Sequence, residues 1–465
     1  MVKLIYPPGP QSFFPIKLFL DLHRDSLGCL RKFACDYGDI VHMGAFNRHY
    51  YLLSHPDCIK QVLTESQMYR SFPYAARCLL GNGLLTSQGE THRQNRRVIQ
   101  PFFQGQVIAE WTPTMMHYIQ KMVDGWESGQ TIDVARQMLR LTSTVVPRTL
   151  LGVNIEGQEE EITKNFEVVI KMTQRNRVPF MDRLLEKLPL PSNFRYRKAL
   201  EALDQAIYAM IEERKQKGLQ EDDLISALLK GSDGCPYGGD KNNSDRQIRD
   251  EVMTMFLSGY ETTSNALSWA WHLLSLNPEA EAKLHEEIDA VLQGGLPTIA
   301  DIPKLTYTRM VLMETMRLYP PVWTMSRRPT VDLAIGGFTI PAWSFIVISP
   351  FIVHRDPRFF PDPEKFDPMR WTPQETAQRP KFSYFPFGGG SRQCIGERFA
   401  MTEATLVIAT IAQKWRLLPV AGRNVELEPL ITLRPKLGML MKMQKRIFSE
   451  HAENADLNFS KVPAG

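Results

Sequence analysis

Apolar residues recur at three- and four-residue intervals through much of the first half of the chain. Between residues 106 and 230 this helical period is clearest at 166–173 and 200–215, and it is interrupted at Pro179 and at 189–191. The pattern predicts that this half of the protein is mostly helical.

Shorter segments alternate apolar and polar residues with the two-residue period of a strand. Residues 40–43 and 50–53 predict a small hairpin with its turn around Gly44 and Asn47. Further strands are expected at 333–335, 344–348 and 437–443. The sheets should therefore be small and scattered along a helical chain.

The longest predicted helix covers residues 245–276 and is apolar around most of its circumference in its second half, which indicates a helix buried through the middle of the protein. The glycine-rich, polar segment 231–244 before it predicts an exposed loop, with Asp245 or Asp250 as the N-cap. A last helix is expected at 397–415, after an irregular, proline-rich region at 354–386.

The chain shows no internal repeat, no coiled-coil heptads and no linker long enough to separate domains. We therefore expect one large domain, mainly α with small β-sheets (α+β), over residues 1–445. Its first 38 residues form a proline-rich lead-in and a first helix, and 446–465 form a polar C-terminal tail.

Composition narrows the class of protein. With 43% hydrophobic and 23% charged residues the chain suits a globular protein with a large core, and a net charge of +4 gives no reason to expect nucleic acid as a partner. No apolar run reaches the 18 or more residues of a membrane-spanning helix. A cytoplasmic location is expected, with peripheral membrane association or a truncated membrane anchor before residue 10 as alternatives.

The six cysteines show no CxxC pair and no zinc-like spacing with histidine, so reduced thiols are expected. Cys394 stands apart, because it follows the glycine-rich loop 387–390 and Arg392 and precedes a helix. Loop N–H groups and the positive end of that helix are expected to lower the pKa of the thiol and hold it as a thiolate, which is a nucleophile or a metal ligand. A buried structural cysteine beside a glycine turn is the alternative.

Residues 387–396 read F-G-G-G-S-R-Q-C-I-G and resemble the haem-binding signature F-G-x-G-x-R-x-C-x-G of the cytochrome P450 superfamily. The resemblance implies the P450 fold around haem b (iron protoporphyrin IX), with Cys394 as the axial iron ligand. It also implies that Phe387 packs beside the sulfur, that Arg392 reaches a haem propionate, and that Gly388 and Gly396 shape the haem-binding loop.

Other segments match the family in the same order. Glu314 and Arg317 match its E-x-x-R motif, with Arg370 as the third member of a structural charge cluster, although Met369 stands where relatives commonly have Glu. Residues 258–263 resemble the oxygen-activation segment, which implies that Thr262 hydrogen-bonds the bound oxygen species and Glu261 feeds protons. Glycine and hydroxyl residues there are expected to open the helix locally.

Further haem contacts follow from the resemblance. His92 and Arg96, four residues apart on one helical face, are expected to bind one propionate, with His92 where many relatives have Trp. Arg327 is the candidate for the other propionate, and the adjacent Arg328 is the alternative.

The implied activity is that of a haem-thiolate monooxygenase that inserts one oxygen atom of O2 into a lipophilic substrate such as a fatty acid or terpenoid. Mostly apolar side chains are expected to line its pocket: Phe72, Leu79, Leu80, Leu84, Gly259, Val322, Trp323, Met325 and Ile431.

No dinucleotide-binding or flavodoxin-like pattern occurs, so a separate ferredoxin or flavodoxin with its reductase is expected to supply electrons to a monomer. Arg93, Arg97 and Arg398 are candidate docking points. A peroxide-driven peroxygenase or isomerase and a non-catalytic haem sensor or carrier are the rival functions, and the Glu261–Thr262 pair favours the dioxygen route over both.

Overall fold

The computed structural model describes residues 5–10, 15–45, 48–70, 72, 74–175, 188–218, 223–232 and 241–446. Sixteen α-helices are numbered here in chain order: α1 Pro15–Arg24, α2 Ser26–Tyr37, α3 Pro56–Thr64, α4 Tyr74–Leu80, α5 Gly89–Ile99, α6 Gly105–Asp124, α7 Val134–Leu150, α8 Glu159–Arg175, α9 Pro191–Lys217, α10 Leu224–Ser232, α11 Lys241–Leu276, α12 Pro278–Leu292, α13 Thr306–Leu318, α14 Pro350–Val353, α15 Pro373–Ala377 and α16 Glu397–Lys414.

The described residues also form twelve short strands: β1 Ile40–Ala45, β2 Arg48–Leu53, β3 Met68–Tyr69, β4 Thr131–Asp133, β5 Met325–Pro329, β6 Leu333–Ile335, β7 Phe338–Ile340, β8 Phe345–Ile348, β9 Trp415–Pro419, β10 Leu427–Pro429, β11 Leu433–Pro435 and β12 Leu440–Lys445. Short 3₁₀ turns occur at Gln100–Phe103, Ile302–Lys304, Pro368–Trp371 and Gly390–Arg392. The α+β class expected from the pattern is confirmed.

Helix α11 crosses the largest core of the described protein. Trp269 and Trp271 on this helix are fully buried, and α7, α13 and α16 all pack against it. Gly259 permits the closest part of the α7 contact, because a Cβ there would lie 2.9 Å from Val146 Cγ2. The buried helix predicted from its apolar circumference is therefore the central element of the fold.

The strands form one five-stranded sheet and three smaller ones. The large sheet has the order β1-β2-β8-β5-β3, in which β2 and β8 run parallel and the other described pairs run antiparallel. A second core lies between this sheet and α3. Strand β12 lies between β4 and β9, and β6–β7 and β10–β11 are two-stranded hairpins.

Several predicted boundaries are wrong. Helix α11 begins at Lys241, inside the segment predicted as a loop, so neither Asp245 nor Asp250 is an N-cap. Asp250 instead accepts the Asn82 N–H at 2.8 Å, a tertiary contact that periodicity does not reveal. Gly44 is paired within β1 rather than in the turn.

The strand β5 was not predicted, because its sequence Met-Ser-Arg-Arg-Pro has no apolar alternation. Residues 447–465, almost all of the predicted C-terminal tail, lie outside the described residues. In the part of the chain that is described, no helix is long and apolar enough to cross a membrane. The five described cysteines are free thiols, as expected.

Candidate active site

The loop before α16 presents the Cys394 sulfur. The Cys394 N–H donates to the Phe387 carbonyl at 2.9 Å, which closes the loop into a tight turn. Gly390 has φ 67° and could not carry a side chain, because a Cβ would lie 2.0 Å from the Leu63 carbonyl oxygen. Gly388, at φ 72°, also occupies the left-handed region, and Gly396 caps α16. The glycines thus hold the cysteine at a helix start.

The expected lowering of the Cys394 pKa is wrong for the protein alone. Burial raises the pKa of the thiol, and this outweighs the hydrogen bond from the Gly396 N–H and the positive charges of Arg96 and Arg70. The side chain nevertheless has accessible surface. Cys394 is therefore surrounded by many protein atoms while part of its surface stays accessible.

Basic side chains gather around that sulfur. His92 and Arg96 come from α5, Arg327 from β5, Arg392 from the cysteine loop, and Arg70 from the residue after β3. Burial lowers the pKa values of all five groups, and the charges of neighbouring arginines lower those of Arg70, His92, Arg327 and Arg392 further. The Cys394 group acts on both Arg70 and Arg96. Four separate segments therefore converge on one cationic cluster beside the thiol.

This cationic cluster has no acidic partner among the described residues. Burial, followed by the charge of a neighbouring arginine, lowers the pKa of Arg327 and of Arg392 to about 10. Burial and the charges of Arg392, Arg96 and Arg70 lower the pKa of His92 to about 4. The buried Nη1 of Arg392 has no hydrogen-bond partner within the described ranges. Uncompensated buried positive charge is costly and requires an anion.

The donor set fits a haem. One soft sulfur matches an axial iron ligand, and the cationic cluster matches the two carboxylates at the edge of the macrocycle. Arg96 also ties α5 to the cysteine loop, because its Nη1 donates to the Gln393 carbonyl at 2.9 Å. The residues that would hold the iron and the carboxylates are therefore joined directly.

The structure separates the two candidate arginines of β5. Arg327 is buried within the cationic cluster, whereas Arg328 points away, donates twice to the Trp343 carbonyl and lies over the Phe345 ring. Sequence reasoning missed Arg70 and its support Gln88. Gln88 Oε1 accepts from Arg392 Nη2 at 3.0 Å, and its Nε2 donates to the Arg70 carbonyl at 2.9 Å. No motif marks either residue.

Glu261 and Thr262 on α11 form hydrogen bonds with different partners. Thr262 Oγ1 donates to the Ser258 carbonyl at 2.8 Å, one turn back, and α11 is continuous through this segment. The expected opening of the helix is therefore wrong, since the hydroxyl groups bond within the helix. Burial raises the pKa of Glu261, which accepts a 2.7 Å hydrogen bond from Thr432, a residue the sequence did not single out.

The residues predicted to line the substrate pocket differ in their exposure. Phe72, Val322, Met325 and Ile431 keep accessible surface. Leu79, Leu80 and Trp323 do not, because each is at most 2% exposed and packs in a core, so their assignment to a pocket wall is corrected. Leu84 is also buried, and the side-chain direction of Gly259 faces Val146.

The three residues of the predicted charge cluster, Glu314, Arg317 and Arg370, lie close together in the structure. Glu314 and Arg317 are fully buried and form two parallel 2.8 Å hydrogen bonds, and Arg370 Nε lies 3.5 Å from Glu314 Oε1. Glu314 also accepts from the Trp371 indole and the Asp367 N–H, so the carboxylate is fully partnered. The cluster fastens α13 to the segment that leads to the cysteine loop.

Known proteins resemble this chain over most of its length. The family model of cytochrome P450 matches residues 7–443. Cyclooctatin synthase of Streptomyces melanosporofaciens is 40% identical over 402 residues, covering 85% of this chain and 87% of that protein.

Two further relatives carry substrate names. Cyclooctat-9-en-7-ol 5-monooxygenase of the same organism is 39% identical over 84% of both chains. Pentalenene oxygenase of Streptomyces avermitilis is 35% identical over 86% of this chain and 87% of that protein. The chain therefore belongs to the cytochrome P450 family, whose members carry a haem-thiolate cofactor, and it is a P450 monooxygenase.

Proposed function

We propose that this P450 holds haem b through Cys394 and the cationic cluster and inserts one oxygen atom of O2 into a terpenoid. The observation that carries the proposal is the accessible, desolvated Cys394 sulfur beside five basic side chains that have no acidic partner in the part of the chain that the structure describes. When bound, a thiolate-ligated haem supplies the activation of dioxygen.

The residues of the chain would hold the haem in position and supply the protons that the reaction consumes. The cationic cluster would fix the two haem carboxylates, and the Gly396 N–H would stabilise charge on the Cys394 sulfur. Glu261 is buried with a raised pKa, so its carboxyl retains a proton more readily than an exposed glutamate does. We assign proton supply to Glu261, and the neighbouring Thr262 hydroxyl would pass on or hold that proton.

A terpenoid is the substrate class that the relatives favour. Two of them are named for acting on cyclooctat-9-en-7-ol and on pentalenene. Phe72, Val322, Met325 and Ile431, the candidate pocket residues with accessible surface, are uncharged and suit a neutral hydrocarbon or alcohol. We further propose that a separate ferredoxin or flavodoxin delivers the electrons.

The haem assignment is tested by the absorption of the dithionite-reduced protein with carbon monoxide. Wild type should show the Soret band of a thiolate ligand, and Cys394→Ala should lose it. Cys58→Ala is the matched control, because burial also raises the pKa of that half-buried thiol. A histidine-like band in wild type, or an unchanged band in Cys394→Ala, contradicts the proposal.

The substrate class is tested by turnover under ¹⁸O2 with a surrogate ferredoxin and its reductase. Cyclooctat-9-en-7-ol and pentalenene are the probes, and palmitate represents the fatty-acid alternative. One ¹⁸O atom in a terpenoid product supports the proposal. Labelled palmitate alone reassigns the substrate, turnover with hydrogen peroxide alone favours a peroxygenase, and no turnover with either oxidant favours a haem carrier.

A further inference from the structure

The hairpin β10–β11 is clamped against α11 and the segment that follows α13. The Trp323 indole N–H donates to the Leu430 carbonyl at 2.8 Å, and the Trp269 indole N–H donates to the Leu433 carbonyl at 3.0 Å. The Leu433 N–H donates to the Pro321 carbonyl at 2.9 Å. Both indoles are buried, so the connecting residues 430–432 are held at both ends.

Thr432 lies in this connection and reaches the acid of the active site. Its Oγ1 accepts from Asn265 Nδ2 at 3.1 Å and donates to Glu261 Oε1 at 2.7 Å. Asn265 and Glu261 are four residues apart and share a face of α11. All three side chains are at most 6% exposed. Because the Asn265 amide occupies an oxygen lone pair, the single Thr432 proton is directed at Glu261.

The charged side chains near Glu261 do not by themselves fix the orientation of its carboxyl group. Arg434, on β11, favours its ionised form, and Glu167, on α8, opposes it. Arg434 itself lies 2.8 Å from Glu428 and 3.4 Å from Glu167, so its charge is largely matched elsewhere. Within the described residues, Thr432 makes the one hydrogen bond to the Glu261 carboxyl.

We propose that Thr432 is a positioning residue that sets the orientation of the Glu261 carboxyl for proton delivery. This rests on the proposed function of Glu261. Each hydroxylation consumes two electrons and two protons, places one atom of O2 in a substrate C–H bond and releases the other as water. Each O2 released as hydrogen peroxide also takes two electrons and two protons but leaves the substrate unchanged. If the Glu261 carboxyl is misplaced, turnover should shift from hydroxylation of the substrate to release of hydrogen peroxide.

The test compares Thr432→Val, which keeps the shape and loses the hydroxyl, with Thr432→Ser, which keeps the hydroxyl. Holoenzyme is driven by a surrogate ferredoxin and its reductase with cyclooctat-9-en-7-ol, and hydrogen peroxide is measured per electron consumed. Thr149→Val is the matched control, because that buried hydroxyl bonds only within its own helix. The reduced carbon monoxide spectrum of each variant checks the haem ligand.

We expect Thr432→Val to raise the ratio of peroxide to product by about fivefold, the loss of one neutral hydrogen bond. Thr432→Ser and Thr149→Val should stay close to wild type. In a Glu261→Gln background, Thr432→Val should add nothing, because the two residues act in series.

Equal ratios in Thr432→Val and Thr432→Ser overturn the inference while leaving Glu261 as the acid. An unchanged ratio in Glu261→Gln itself overturns the proposed function of Glu261, and the role of Thr432 with it. An additive effect in the double variant would show that Thr432 acts elsewhere.

Discussion

Arg327 and Arg328 are adjacent in sequence but meet different surroundings. Arg327 lies buried in the cationic cluster, and Arg328 is bound to the Trp343 carbonyl and the Phe345 ring. Side chains alternate across a strand, so one arginine of β5 faces the site and the next faces away. The pair therefore offers an internal comparison.

We predict that Arg327→Gln releases haem at least about tenfold faster than wild type, since a charge-assisted hydrogen bond contributes about 1.5–3 kcal/mol. Arg328→Gln should release haem at the wild-type rate. Transfer of haem to an excess of acceptor globin measures both rates. Faster release from Arg328→Gln than from Arg327→Gln would reverse the assignment.

Glu403 is the most isolated acid among the described residues. It lies on α16 and is fully buried, and neither carboxylate oxygen has a hydrogen-bond partner in the part of the chain that is described. Burial alone raises its pKa from 4.5 to about 8. The unfolded state ionises near pH 4.5 and the folded state only near pH 8, so this group makes the protein progressively less stable as pH rises through that window.

We predict that Glu403→Met gains stability relative to wild type as pH rises from 5 to 8, by about 3–4 kcal/mol. Urea unfolding at the two pH values measures this difference in unfolding free energy. Glu286→Met, at an exposed position on α12, is the control and should show no such trend. A constant difference between Glu403→Met and wild type would mean that Glu403 is not neutral in the folded protein.

Helices α5 and α11 are joined by a second buried acid. Glu251 Oε1 accepts from the amides of Asn95, on α5, and Gln247, and its Oε2 accepts the Leu84 N–H at 2.8 Å. Burial raises the pKa of Glu251 to about 8 despite these donors. This one side chain thus holds α5, which carries His92 and Arg96, against the central helix.

We predict that Glu251→Leu lowers the free energy of unfolding by about 3 kcal/mol or more, because it leaves buried donors unpartnered. Amide hydrogen exchange should rise in α5 and around Leu84. Glu251→Gln keeps one acceptor oxygen and should lose less. If exchange in α5 stays at the wild-type level in Glu251→Leu, another contact holds that helix.

The outer surface beside the cysteine loop is the place we propose for electron delivery. Arg97 and Arg398 are exposed, and the bond from Arg96 to Gln393 brings α5 next to this loop. Arg93 is also exposed, but it is paired with Glu90 at 2.8 Å and offers less free charge. An acidic partner would be attracted to this face.

We predict that Arg97→Glu with Arg398→Glu slows the first electron transfer about tenfold at low salt and weakens its salt dependence. Stopped-flow reduction under carbon monoxide measures the rate. Lys198→Glu is the control, because Lys198 is exposed on α9, a helix that packs mainly against α8 and α11. An equal loss of rate in the control would indicate a general charge effect rather than a docking site.

Much of this protein could be inferred from short stretches of sequence. The cysteine loop, the Glu314–Arg317 pair and the His92–Arg96 pair each lie within about ten residues, where backbone geometry sets which side chains meet. The apolar circumference of 245–276 likewise predicts a central helix, since such a helix is stable only when surrounded. Local sequence patterns therefore established the family resemblance, the candidate cysteine ligand and the helical class.

Tertiary packing decided the rest. Gln88 and Arg392 are 304 residues apart, and Thr432 and Glu261 are 171 apart, so no local spacing relates them. The raised pKa of Cys394 and the sealed positions of Leu79 and Trp323 follow from how many neighbours surround each group. Desolvation and long-range hydrogen bonds arise only when distant segments pack together, which is why the support of this active site became visible in the structure alone.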